Sequence, residues 1–188
     1  MAQAAREIEG VELPPAGTYA LDVTHTAVEF SARHMLTKTR GRFTEFSGTI
    51  EVGDTPEESS VQVEIQAASV QTNMDKRDEH LKSGDFLEVE KYPTLTFTST
   101  GVRHTGGAGF ELDGDLTIKD VTRPVTLTGE YEGWGPDMQG NAMFSATAKA
   151  AIDREDWDIT WNMVVETGGL LVSKKVELEF DVEAHKVS

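Results

Sequence analysis

Apolar and polar residues alternate with a period of two through most of this chain, a pattern that half-buried β-strands produce and helices do not. Over residues 109–119, Phe110, Leu112, Leu116 and Ile118 share one face, while Glu111, Asp113, Asp115 and Thr117 share the other. Residues 175–184 repeat the pattern, with Val176, Leu178, Phe180, Val182 and Ala184 set against Glu177, Glu179, Asp181 and Glu183. The same alternation marks Val61, Val63, Ile65 and Ala67; Leu95 and Phe97; and Val125, Leu127, Gly129 and Tyr131. Near the start, Tyr19, Leu21 and Val23 form one short strand, and Val28, Phe30, Ala32 and His34 share a face of the next. Turn signals such as Gly53-Asp54-Thr55-Pro56, Gly106-Gly107-Ala108-Gly109, Trp134-Gly135-Pro136-Asp137 and Thr167-Gly168-Gly169 punctuate the runs. The spacing predicts about eight or nine strands joined mostly by short loops, hence antiparallel neighbours. Phe43 and Phe46 have opposite parity, which predicts a bulge or a turn of the strand between them.

Three segments depart from the alternation. Residues 73–84 read NMDKRDEHLKSG, with Asn73 placed as an N-cap and Gly84 as a C-terminal stop, so a short helix is expected near residues 74–83. Residues 153–166 are open between a strand (Trp157, Ile159, Trp161, Met163 and Val165 alternate) and a loop with one helical turn. Residues 1–16 read as a flexible N-terminal arm ahead of a single domain over 17–186.

Bulk properties narrow the function classes. The 188 residues carry 17 basic and 33 acidic side chains, a net charge of −16. Phosphate binding needs clustered Lys and Arg, so nucleic acid is not an expected partner, and an anionic membrane repels such a surface at long range. Cys is absent, so neither a disulfide nor thiolate chemistry is available. No apolar run of about 18 residues is present for a spanning helix, and stable membrane insertion is not expected. The start of the chain lacks the roughly 7–15-residue apolar stretch of a secretory signal, which places the chain as given in the cytoplasm.

Long alternating strands with acidic outer faces need their apolar faces covered, either by a second sheet or by closure into a barrel. Closure also removes exposed edges. Alternation alone does not separate the two. On one parity of residues 141–152 lie Ala142, Phe144, Ala146, Ala148, Ala150 and Ile152, and Gly114 and Gly129 also hold inward positions. Small inward side chains leave either a close backbone approach or an empty lumen, and an eight-stranded barrel is about wide enough for one small ligand.

The polar candidates are few. His25 falls at a turn, His34 shares the inward parity of Val28 and Phe30, and His80 lies in the short helix. A metal site from His25, His34 and His80 matches no established ligand spacing. Acid–base chemistry by His34 or His80 with Asp78 or Asp85 lacks any accompanying nucleophile or phosphate-loop motif. On a simpler reading these His and Asp residues satisfy backbone groups around the helix and its caps; on an intermediate one His34, with Arg77 or Lys82, meets a polar ligand head.

Several ordered motifs resemble the YceI-like family. Asp22-x-x-His25-Thr26, Phe30, His34, Gly41-x-Phe43 and Phe46-x-Gly48 are similar to its opening. Arg77-Asp78-x-His80-Leu81-Lys82-Ser83, Asp85-Phe86, Tyr92-Pro93 and Phe97-x-Ser99-Thr100 resemble its central signature. Gly114-x-Leu116-Thr117-Ile118, Val121-Thr122-Arg123-Pro124-Val125, Asp153-Arg154 and Glu166-Thr167-Gly168-Gly169 continue it, over residues 17–185. Asp120, Asp158 and Ser173-Lys174 depart from residues that are often Gly or Gly-Asp in the family.

The resemblance implies an all-β, extended antiparallel, eight-stranded, lipocalin-like barrel holding a polyisoprenoid such as a polyprenyl phosphate or quinone-like chain. Dimers are common in that family, so a homodimer is one of the expected states; the residues themselves call for no cofactor or metal. The expected ligand wall is Phe30, Phe46, Phe97, Phe110, Leu112, Leu116, Phe144, Ala146, Ala148 and Phe180, with His34 and the helix that carries His80 nearer a head group. Two other readings stay open: a lipid-directed enzyme using His34 with Asp78 or Asp85, and a structural dimer without ligand.

Overall fold

The computed structural model describes residues 6–187. In chain order its elements are β1 (Arg6–Ile8), β2 (Val11–Leu13), β3 (Gly17–Leu21), β4 (Ala27–His34), β5 (Thr37–Phe43), β6 (Phe46–Val52), β7 (Ser60–Gln66) and β8 (Val70–Gln71). The helix α1 (Asp75–Lys82) follows, then β9 (Thr94–Gly106), β10 (Gly109–Ile118), β11 (Val121–Pro136), β12 (Ala142–Asp153) and β13 (Val172–Lys186). Strands pair antiparallel in the order β12-β11-β10-β9-β7-β6-β3-β13, and β13 pairs back onto β12, which closes an eight-stranded barrel. Closure settles the choice between barrel and sandwich. Among the described residues, no helix is long and apolar enough to cross a membrane.

Two barrel strands are bent. β13 pairs with β4 through residues 172–181 and with β3 through 184–186, so β3 and β4 form one long strand broken at residues 22–26. The break is held by side chains. Asp22 Oδ1 accepts from the Thr24 N–H, and Thr26 Oγ donates to the Glu183 carbonyl while accepting from the Glu183 N–H. β5 and β6 break at Thr44-Glu45, where the Thr44 N–H donates to Ser69 O and Glu45 O accepts from the Gln66 N–H. That break reconciles the opposite parities of Phe43 and Phe46.

The register follows the alternation. Ile118 pairs with Val121 across a two-residue loop in which Lys119 and Asp120 both have positive φ, 52° and 59°. This geometry suits a tight hairpin and explains why Asp is tolerated at 120. Gly114 and Gly129 resolve as close approaches: a Cβ at Gly114 would overlap the Phe97 ring, and one at Gly129 would overlap the Phe110 ring and the Thr147 carbonyl. Each glycine therefore leaves room for the outer end of a neighbouring phenylalanine ring. We expect Gly129→Ala to lower stability by about 1–3 kcal/mol, the usual cost of overpacking, read as a shift in urea midpoint at unchanged m-value.

The remaining segments differ in detail from the sequence reading. Asn73 is not the cap; it takes a left-handed φ of 62°, and Met74 holds the N-cap position. Residues 154–157 form a 3-10 turn and the following stretch is loop, with Trp157 and Ile159 buried but Met163 and Val164 exposed. Residues 6–13, expected within a flexible arm, form the hairpin β1–β2; residues 1–5 lie outside the described residues.

One end of the barrel is plugged. Phe86, Leu95, Ile118, Trp157 and Ile159 are buried together there with Leu81, Leu87 and Trp161 against them. The Trp157 indole N–H donates to the Leu116 carbonyl at 3.0 Å. Arg154 is buried beside it, donating to the carbonyls of Ile159 and Ser173.

Candidate functional site

Above the plug the barrel is hollow. A cavity of ≈ 260 Å³ runs along its interior. A space of about 10–15 Å³ holds one water on this scale, so the cavity is no packing defect. Its wall is almost wholly carbon: Val28, Ile65, Phe97, Leu116, Val125 and Leu178 near the plug, then Val63, Leu112, Leu127, Phe110, Ala148 and Phe180 higher up. On β10 the lining runs from Gly109 to Leu116, about seven residue steps, or roughly 23 Å along the strand at 3.3 Å per residue. The space is long and narrow.

The open end is covered by the hairpin β1–β2, whose Ile8, Val11 and Leu13 face the cavity. The hairpin is latched to two loops. The Arg6 guanidinium donates to the carbonyls of Gly53 and Asp54, and the Glu9 carboxylate accepts from the Gly107 N–H at 2.7 Å. Its turn, Glu9-Gly10, has positive φ at both residues, 48° and 82°. Of this turn the sequence carries only Gly10 between Ile8 and Val11, without the Asn-Gly or Asp-Gly pair that marks a hairpin most strongly.

Of the expected wall, Phe97, Phe110, Leu112, Leu116, Phe144, Ala146, Ala148 and Phe180 line the cavity. Phe46 does not; it is buried in the core cluster. Phe30 does not either, because its ring lies over Gly41 and packs on Phe43, 5.6 Å between centroids. His34 is exposed at the end of β4. Parity placed both on the inward face, but there that face no longer borders the lumen.

The motif around α1 is structural in its contacts. Asp78 is buried and accepts from the Thr72 N–H at 2.8 Å and the Thr72 hydroxyl at 2.5 Å, while Arg77 donates to the Thr72 carbonyl. His80 bonds Asp85 at 2.8 Å, its ring held edge-on by Phe86 and Trp161. Neither Asp78 nor Asp85 hydrogen-bonds His34 among the described residues, and His25, His34 and His80 are not brought together.

One polar group in the wall escaped sequence reading. The Tyr131 hydroxyl is buried with no hydrogen-bond partner among the described residues. Burial, with the nearby Tyr19 and Glu12 adding to it, pushes its pKa above the ordinary tyrosine range, so it stays a donor. A buried hydroxyl left unpaired costs about 1–3 kcal/mol, which a ligand oxygen would recover.

A family model described as the YceI-like domain matches residues 19–184. The chain belongs to the YceI-like family. A UPF0312 protein of Ectopseudomonas mendocina is 36% identical to this YceI-like chain over 164 residues, covering 84% of it and 86% of the relative. The solved structure of BcnA from Burkholderia cenocepacia superposes with a TM-score of 0.77 at 21% identity, covering 87% of the chain and 98% of BcnA. A polyisoprenoid binding domain from Saccharophagus degradans, implicated in plant cell wall breakdown, superposes with a TM-score of 0.65 at 16% identity, covering 92% and 99%. At these identities the two structures speak for the shared barrel. The lid strands of this YceI-like chain, residues 6–13, precede the family match.

Proposed function

We propose that this chain is a binding or carrier protein that holds a polyisoprenoid lipid in the barrel lumen, and that it is not a catalyst. The long, narrow, carbon-lined cavity carries this reading. A compact ligand would leave much of such a slot empty, whereas a chain of repeated isoprene units fills it. Burial contributes about 0.8 kcal/mol per CH₂-sized group, so a few units offset the entropy of binding with hardly any polar contact. The neighbour named for polyisoprenoid binding supports the same class of ligand. Phe97, Phe110, Leu112, Leu116, Phe144, Ala146, Ala148 and Phe180 form the chain-binding wall, and Tyr131 meets an oxygen near the head.

Catalysis by His34 with Asp78 or Asp85 is disfavoured, because both carboxylates are engaged by other partners and His34 is exposed. Incubation with a radiolabelled polyprenol followed by gel filtration tests the binding reading. Label should co-elute with the protein at up to one molecule per chain. A dodecane-sized saturated chain that binds as tightly, or label that elutes free, would contradict the isoprenoid assignment.

A further inference from the structure

We propose that the outer wall of the barrel carries a site for one divalent transition-metal cation, formed by Asp22, His25, Glu183 and His185. It lies outside the lumen and does not rest on the ligand proposed for the cavity. Asp22 and His25 sit at the break between β3 and β4. Glu183 and His185 share the outward face of β13, opposite Val182, which lines the cavity, and Ala184, which is fully buried.

Four donor atoms make a closed ring. His25 Nδ1 lies 2.9 Å from Asp22 Oδ2 and 3.5 Å from Glu183 Oε1. His185 Nε2 lies 3.2 Å from the same Asp22 oxygen and 3.0 Å from the same Glu183 oxygen. The donor atoms of Asp22, His25 and Glu183 all fall within 4.8 Å of one another. Ligands about 2.1 Å from a metal stand about 3.0 Å apart in a square and about 3.4 Å apart in a tetrahedron. The four distances lie close to this range. Asp22, His25 and Glu183 form the compact set, and His185 joins it through the two carboxylate oxygens it approaches, turning toward the ion to complete the shell.

A fifth residue orients the ring. Asp137, in the turn between β11 and β12, has an oxygen 3.2 Å from His185 Nδ1. Backbone N–H groups of Gln139 and Asn141 hold Asp137 in place, each at 2.8 Å. With Nδ1–H donating to Asp137, the Nε2 lone pair faces two carboxylates. Acceptor then faces acceptor, and only a second proton or a cation resolves the conflict. A carboxylate behind a ligating histidine is the arrangement that fixes tautomer and ring direction at metal centres.

The chemistry narrows the ion. Two imidazoles and two carboxylates suit Zn²⁺, Ni²⁺ or Cu²⁺; Mg²⁺ and Ca²⁺ prefer all-oxygen shells. The two carboxylates balance a divalent charge. His25 is 62% exposed, which gives an entry path and leaves room for water or another ligand on the ion. A bound ion would tie the β3–β4 break to β13, beside the reciprocal Thr26–Glu183 bonds, and would stabilise the fold by mass action.

Calorimetric titration of the metal-stripped full chain with zinc chloride tests the site, alongside Co²⁺ titration read by visible absorption. We expect one ion per chain, a higher melting temperature with Zn²⁺ but not with Mg²⁺, and Co²⁺ bands typical of mixed nitrogen and oxygen ligation. His25→Ala should weaken Zn²⁺ at least about tenfold, and Asp137→Asn about 10–100-fold. His34→Ala, at the far end of β13's pairing with β4, should change neither value. Because His25 is exposed, its variant should melt like the parent in EDTA. If it does not, the parent's Co²⁺ spectrum decides. Absence of Zn²⁺ binding, equal loss in His34→Ala, equal stabilisation by Mg²⁺, or a Co²⁺ spectrum of the hydrated ion would overturn the proposal.

Discussion

Ala148→Phe should abolish binding of the long apolar ligand while the barrel stays folded. Ala148 lines the lumen from β12, paired with Gly129 on one side and on the other with Phe180, itself a lining residue. An engineered cavity of about 150 Å³ accommodates one benzene. A single benzyl group at 148 would thus take more than half of the ≈ 260 Å³ and cut the slot across its length. The new ring buries apolar surface, so the melting temperature should hold within a few degrees or rise, at about 25 cal/mol per Å² offset by some strain. Lys149→Ala, on the outward face of the same strand, should bind as the parent does. Equal ligand retention in Ala148→Phe would move the binding surface elsewhere.

Trp157→Ala should produce the largest loss of stability. The indole is 2% exposed, sits at the centre of the plug and donates to the Leu116 carbonyl. Truncating a buried tryptophan costs about 3–5 kcal/mol through lost burial and the remaining cavity. The orphaned Leu116 carbonyl adds to this. For a domain of this size about 1 kcal/mol moves the melting temperature by 2–4 °C, so a fall of roughly 6–20 °C is expected by calorimetry. Trp134, 37% exposed on the barrel wall, offers the comparison: its Ala variant should lose far less.

Which parts of this molecule were legible follows from what each pattern measures. Alternation reports local facing, and over residues 109–118 and 121–131 it put Phe110, Leu112, Leu116 and Leu127 on the inner wall. Facing alone does not say what the inner wall borders. Phe30 lies on the expected face, yet it meets Gly41 and Phe43 rather than the lumen, and His34 lies where the strand ends in solvent. The alternation of Trp157, Ile159 and Trp161 belongs to a loop, because a buried plug selects large apolar residues without requiring a sheet. Small residues carried two meanings at once: Gly114 and Gly129 admit neighbouring rings, whereas Ala146 and Ala148 leave open space. The lid was missed because three-residue strands are too short to show a period. The grouping of Asp22 and His25 with Glu183 and His185 depends on the pairing of β13 with β3, a contact between the chain's ends that spacing cannot reveal.

The central claim is that the lumen is a binding site for a chain-like lipid. Native mass spectrometry of the purified chain, paired with organic extraction and mass analysis of what is released, tests it most directly. The account predicts a protein species heavier by one apolar molecule whose mass fits a run of isoprene units, lost on extraction and absent from Ala148→Phe. Protein that shows only its own mass, and that gains none after incubation with polyprenols, would contradict it.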